Sequence, residues 1–245
     1  MVRVLNGVVF ACALLAGCDT IFGLTDVPLK ADAVPTNGLG CASRTALLCA
    51  DFEEGSTYYA NGIASDLPMP TAGVTTAIEA PGASGGNALY IDSVTGTYRF
   101  DAQSTTAASK ITATFELEPT QFDTTTPSTS LAVLYFDQIQ APECYVALDF
   151  QPTPMRLAFV ENCGSQDAPD LVIPLPSRAA FVSVTLEADL GLGTASAHLG
   201  VNSANVTLDP GSFTGLPGVA FGFIDPLVGT GARIGLDDIL VVTAP

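Results

Sequence analysis

Lys110-Ile111-Thr112-Ala113-Thr114-Phe115-Glu116-Leu117-Glu118 carries an apolar side chain at every odd position and a polar or charged one at every even position. A period of two sends successive side chains to opposite faces, so the stretch reads as a β-strand with one face buried and the other wet. Val182, Val184, Leu186, Ala188 and Leu190 alternate in the same way with Ser183, Thr185, Glu187 and Asp189. Similar runs occupy 87–94, 130–137, 144–150, 154–160, 170–175, 193–201, 217–224 and 232–243, punctuated by Gly, Pro, Asn and Asp. No segment has helical periodicity. About a dozen strands in roughly 200 residues predict two packed antiparallel sheets, because one open sheet of that size tends to curl or split. The expected fold class is all-β, an antiparallel two-sheet jelly-roll sandwich.

A hairpin folded between Thr153 and Pro154 pairs Leu148 with Phe159, Phe150 with Leu157 and Cys144 with Cys163. Directly opposed residues stand about 4.5 to 5.5 Å apart, within disulfide reach. Cys144 with Cys163 is therefore one expected bridge, and Cys41 with Cys49 the other by elimination. No Cys-x-x-Cys occurs, and the single His is remote in sequence from all four, which argues against a thiolate-held metal.

The 245 residues carry 8 Lys and Arg against 25 Asp and Glu, a net charge of -17. A phosphate-neutralising groove has almost no side chains to build it, which excludes nucleic acid as a partner. The scattered cations also offer no patch for anionic lipid. Arg3 precedes an apolar run, Val4 to Ala16, that is too short for a bilayer of about 30 Å and reads as a cleaved leader. Its end, Leu15-Ala16-Gly17-Cys18, resembles the lipobox of bacterial lipoprotein signal peptides. That resemblance implies cleavage before Cys18 and lipidation of this residue with several acyl chains, since one chain holds only marginally. The expected organisation is a lipoprotein signal peptide over 1–17, lipidated Cys18 with a flexible tether over 18–40, and one β-sandwich domain over 41–245. The expected location is the cell envelope, at the outer membrane or cell surface, with the membrane engaged through the lipid.

Four stretches in order, Leu47 to Gly55, Gly85 to Ile91, Phe181 to Asp189 and Ile234 to Val241, resemble the concanavalin A-like, laminin-G-like jelly-roll superfamily. The resemblance spans nearly all of 41–245 and implies the same sandwich. It also implies a structural calcium ion held by opening-strand Glu53 and closing-strand Asp237, with Asp51 and Asp238 as added ligands; hard Ca²⁺ prefers such oxygens. Phe181 stands where such proteins carry a Trp. The chain has no Trp for sugar stacking, which leaves Tyr58, Tyr59, Tyr90, Tyr98, Tyr135 and Tyr145.

Gly82-Ala83-Ser84-Gly85-Gly86 matches Gly-x-Ser-x-Gly, but a nucleophile elbow needs a strand before it and a helix after, and here a strand follows. The stretch reads as a turn, and His198 as an outward-facing strand residue. Glu116 with Glu118, and Glu187 with Asp189, stand at i, i+2 and so about 6 to 7 Å apart on one strand face. That spacing suits a glycosidase carboxylate pair. Glu187-Ala188-Asp189 resembles the start of the Glu-x-Asp-x-x-Glu motif of concanavalin A-like glucanases, with Leu192 where the acid Glu belongs. The expected function is a lipid-anchored envelope protein whose non-catalytic sandwich binds an extracellular glycan or protein. The alternatives are a polysaccharide-active enzyme, a glycoside hydrolase or lyase using Glu116, Glu118, Glu187 or Asp189, and a purely structural surface lipoprotein.

Overall fold

A computed structural model describes residues 41–245 apart from 123–124, 137–144, 153–154, 163–167, 175–179, 209–212 and 214. In chain order the strands are β1 (Leu48–Ala50), β2 (Thr57–Ala60), β3 (Ile63–Asp66), β4 (Val74–Glu79), β5 (Ala88–Gln103), β6 (Lys110–Gln121), β7 (Thr129–Phe136), β8 (Tyr145–Pro152), β9 (Met155–Asn162), β10 (Ala168–Pro174), β11 (Val182–Asp189), β12 (Thr194–Leu199), β13 (Asn202–Thr207) and β14 (Pro217–Ala244). Among the described residues the helical content is one 3-10 turn, Cys41–Ser43, and no helix is long and apolar enough to cross a membrane.

Strands β5, of 16 residues, and β14, of 28, are long enough to serve both layers of the sandwich. The start of β14 lies between β7 and the end of β5, where Val219 faces Leu134 on one side and Ala102 on the other. Its later part lies between β6 and the start of β5, where Leu236 faces Leu117 and Leu89. Register breaks at Phe223/Leu227 and Val228/Ala232 fall where the β14–β5 ladder passes from one layer to the other. The first layer thus runs β10-β9-β8-β7-β14-β5. The second runs β13-β12-β11-β6-β14, flanked beyond β14 by β5 with β4 and by β1 with β2 and β3.

The alternation that defines β6 sends Ile111, Ala113, Phe115 and Leu117 into the core. Phe115 of the second layer meets Phe221 of the first edge-on at 5.1 Å, and Phe221 stacks on Phe100 at 5.7 Å. The all-β expectation is met, and the predicted hairpin register is the observed one: β8 and β9 pair Leu148 with Phe159 and Phe150 with Leu157. Cys41 and Cys49 are bonded, with Cα atoms 5.4 Å apart. Cys144, Cys163 and Cys18 lie outside the described residues. Two differences concern strand length. The runs at 217–224 and 232–243 are one strand, because pairing with β5 holds the intervening glycine-rich stretch extended. The run at 87–94 continues to Gln103, where Tyr98, Phe100 and Ala102 supply a second set of inward side chains.

Candidate functional site

Glu53 and Asp237 come together at the loop that leads into β5. Asp237 is fully buried; its Oδ2 accepts the Ala83 N–H at 2.8 Å and its Oδ1 the Asp238 N–H at 2.8 Å. Glu53 Oε1 accepts the Asn87 N–H at 2.8 Å. Within the loop the Gly82 N–H donates to the Gly86 carbonyl at 2.7 Å. A side chain at Gly86 would land on the Glu53 carboxylate, and one at Gly82 would meet Asp237 Oδ2 and the Asn87 carbonyl at 2.5 and 2.6 Å. The two glycines are thus what lets both carboxylates reach the backbone. Burial first, then the Asp238 and Glu53 carboxylates, push Asp237 up to about 7, against the pull of its two N–H donors. Asp51 and Asp238 are half-buried beside these residues in sequence. Among the described residues no three His, Cys, Asp or Glu side chains close on a common metal position.

The Gly-x-Ser-x-Gly stretch is this clamped loop. Ser84 is exposed on it, and His198 stands exposed on β12 between Thr185 and Ser203, with β11, β6 and β14 intervening before β5.

The paired carboxylates occupy the outer face of the second layer. Glu116 lies opposite Asp237 in the β6–β14 ladder. Glu118 is buried and accepts the Tyr90 hydroxyl at 2.7 Å, while Arg233 lies 4.5 Å over the Tyr90 ring and pairs with Glu79 and Asp92 at 2.7 and 3.2 Å. Burial and the Glu118 carboxylate keep the Tyr90 phenol protonated well above its usual range. Glu187 accepts Lys110 Nζ at 2.8 Å and the Thr112 hydroxyl at 3.2 Å; Asp189 stands 3.9 Å from the same ammonium and accepts the Leu192 N–H at 2.9 Å. The fold therefore joins Glu116 to the Glu53–Asp237 end and Glu118 to Tyr90, and leaves Glu187 with Asp189 as a separate pair around Lys110.

A further polar constellation lies on the outer face of the first layer. Its floor is made of small or short side chains, Ala147, Ala158, Ala220 and Val133, all buried. Tyr135 faces Tyr145 on β8 and Gly218 on β14, and Gly218 in turn faces Gln103. The Tyr135 ring and hydroxyl fill the space that a Gly218 side chain would take, so the ring lies across β14 toward β5. There Arg99 and Asp101 pair at 3.1 Å. The Tyr135 hydroxyl is buried and has no hydrogen-bond partner. Burial raises its pKa, the Asp101 carboxylate adds to this and Arg99 opposes it. The sequence signal for this face is Gly218-x-Ala220-x-Gly222 interleaved with Val219, Phe221 and Phe223, an alternation of small and large that keeps one side of β14 clear for neighbouring side chains.

No family model and no curated protein matches the chain. Solved structures do. A sialidase superposes with a TM-score of 0.52 at 11% identity over 81% of this chain, which spans 19% of that protein. The family 7 alginate lyase A1-II' gives 0.50 at 12% identity over 64% of this chain and 80% of its own. Alginate lyase vAL-1 from Chlorella virus gives 0.50 at 10% identity over 70% and 91%. What they share with this chain is the fold. The sandwich is of the jelly-roll kind.

Proposed function

We propose that this is a polysaccharide-directed β-sandwich that takes its ligand across the outer face of the first layer. The observation that carries the reading is Tyr135: a buried hydroxyl with no partner, beside an Arg99–Asp101 pair, its ring seated on Gly218 next to a buried floor of Ala147, Ala158 and Ala220. An unpaired buried hydroxyl costs about 1 to 3 kcal/mol, and a sugar oxygen would supply the missing partner once the side chains that cover Tyr135, itself 2% exposed, move aside on binding. Like any tyrosine the phenol carries its proton at neutral pH, so the unpartnered O–H is a donor on this face. In a binder it donates to a sugar hydroxyl; in an enzyme it can protonate a departing glycosidic oxygen. The alginate lyases, most of whose length this chain spans, are what supports the polysaccharide-active form.

The test is incubation of the full chain and of Tyr135→Phe with a panel of neutral and acidic polysaccharides, measuring binding and the release of new chain ends. New ends lost in Tyr135→Phe establish the enzyme. Binding weakened in Tyr135→Phe without new ends establishes the non-catalytic form. No interaction with any polysaccharide leaves the purely structural alternative and ends this proposal.

The same reading includes lipidation at Cys18, export to the envelope and a second bridge between Cys144 and Cys163. Intact mass of membrane-purified protein checks all of these, since residues 18–245 plus acyl chains, gaining about four hydrogens on reduction, is the expected species. It also includes a structural calcium ion. The Glu53 and Asp237 carboxylates and the Asn87 carbonyl beside Gly82 are oxygens of the type Ca²⁺ takes, and a cation there would offset buried Asp237 and exposed Glu53, which meet at one loop. A melting temperature lowered by chelator and restored by calcium is the expected result.

A further inference from the structure

We infer that the cleft beside Arg44 receives the anionic group of an acidic sugar, which makes the polymer named above a charged one. The cleft encloses about 400 Å³ where the start of β1, the β2–β3 turn and the ends of β5 and β14 meet. Arg44 lines it together with Asn61, Ser104, Thr106 and Thr243, over Leu47.

Three observations set Arg44 apart. Arg99, Lys110 and Arg233 stand 3.1, 2.8 and 2.7 Å from carboxylates. Arg44 and Arg156 have no such partner among the described residues, but the Arg156 guanidinium is taken by the Gln151 amide oxygen at 2.8 Å, which leaves Arg44 without a side-chain partner among them. Second, it is half-buried rather than fully solvated, so its charge is weakly screened. Third, it is positioned from behind: its N–H donates to the Cys41 carbonyl at 3.1 Å, inside the ring closed by the Cys41–Cys49 bond. A guanidinium is a planar fork of donors that matches an oxyanion bidentately.

The rest of the lining suits a sugar rather than a bare ion. Hydroxyls and an amide both donate and accept, as the hydroxyls of a pyranose require. Two of these side chains are fixed within the wall: Ser104 Oγ donates to the Thr106 carbonyl at 2.7 Å and Asn61 Nδ2 to the Gln103 carbonyl at 2.9 Å. Gln103 is also the β5 residue that faces Gly218 beside Tyr135, so the cleft and that face meet at the end of β5. The inference rests on the polysaccharide reading in this respect. The net charge of -17 repels a polyanion at long range, so discrimination in this cleft has to come from contact with Arg44, the cation that lines it.

The experiment is calorimetric titration of the full chain with short uronate oligomers, the methyl esters of the same oligomers, and sulfated oligomers of matching length. Wild type, Arg44→Gln, Arg44→Lys and Tyr135→Phe are compared. The expected result is that an acidic oligomer binds about ten-fold or more tightly than its ester. Arg44→Gln should abolish that preference without changing ester binding, and Arg44→Lys should retain part of it. The uronate and sulfated arms identify which anion is held. Equal binding of acid and ester, or a preference unchanged in Arg44→Gln, overturns the Arg44 site while leaving the polysaccharide reading intact. Absence of binding by every oligomer overturns both.

Discussion

Replacing Tyr98 by Phe should stabilise the protein, and increasingly so at high pH. Tyr98 lies in the main core on β5, 3% exposed, opposite Phe223, and its hydroxyl has no partner. A hydroxyl buried in this way costs about 1 to 3 kcal/mol, and removing one oxygen leaves the ring contacts in place, so the variant should gain about 1 kcal/mol at pH 7. Burial, then Tyr58, pushes the Tyr98 phenol up to about 12. In the unfolded chain it titrates near 10. The folded state therefore keeps the proton over that window. Stability tied to it is complete below about pH 10 and is lost as pH rises toward 12, by about 1.4 kcal/mol at pH 11. Phe has no such proton, so the advantage of the variant should roughly double between pH 7 and pH 11. Urea unfolding followed by circular dichroism at the two pH values measures it. A variant less stable than wild type at pH 7, or an advantage that does not grow, would refute the reasoning that this hydroxyl is buried unpaired.

Phe221→Ala removes the ring that joins the layers through Phe100 and Phe115, and should cost about 3 to 5 kcal/mol in chemical denaturation. Gly86→Ala drives a methyl group into the Glu53 carboxylate and frees the Asn87 N–H, for a loss of about 1 to 3 kcal/mol. Combined with Glu53→Ala that loss should be far less than additive, which a double-mutant cycle of melting curves reads directly. Lys110→Ala leaves Glu187 and Asp189 facing each other, but the side chains are partly exposed at 35%, 31% and 14%. The cost should stay near or below about 1 kcal/mol and fade in high salt.

Where the chain alternates strictly, the fold could be read directly from sequence. β6 and β11 announce themselves because each buries one face of Ile, Val, Leu or Phe and wets the other. The β8–β9 register follows from the positions of Leu148, Phe150, Leu157 and Phe159 around one proline turn. The short strands β1 to β4 carry no such pattern. Ile63 is 69% exposed and β3 is wet on both faces, so backbone pairing and not side-chain burial holds it. Glu53 and Asp237 were legible as an opening and closing pair, but their attachment to the 82–87 loop was not. That contact joins residues 154 apart in sequence through backbone N–H groups, which carry no residue signature. Tyr135 was one of six equivalent tyrosines until the register set Gly218 beside it.

Strand β14 follows all the other described strands in sequence, yet it pairs with β1, β5, β6 and β7. A growing chain that has not yet released this segment has neither layer complete: β6 and β7 each lack a flank and β5 has no partner joining its halves. Folding is therefore gated by arrival of β14, with loop-closure entropy across more than a hundred residues to overcome before its pairing with β5 and β6 is rewarded. Until β14 is available the strands it pairs with stay unpaired on at least one side, which exposes β-rich segments to aggregation.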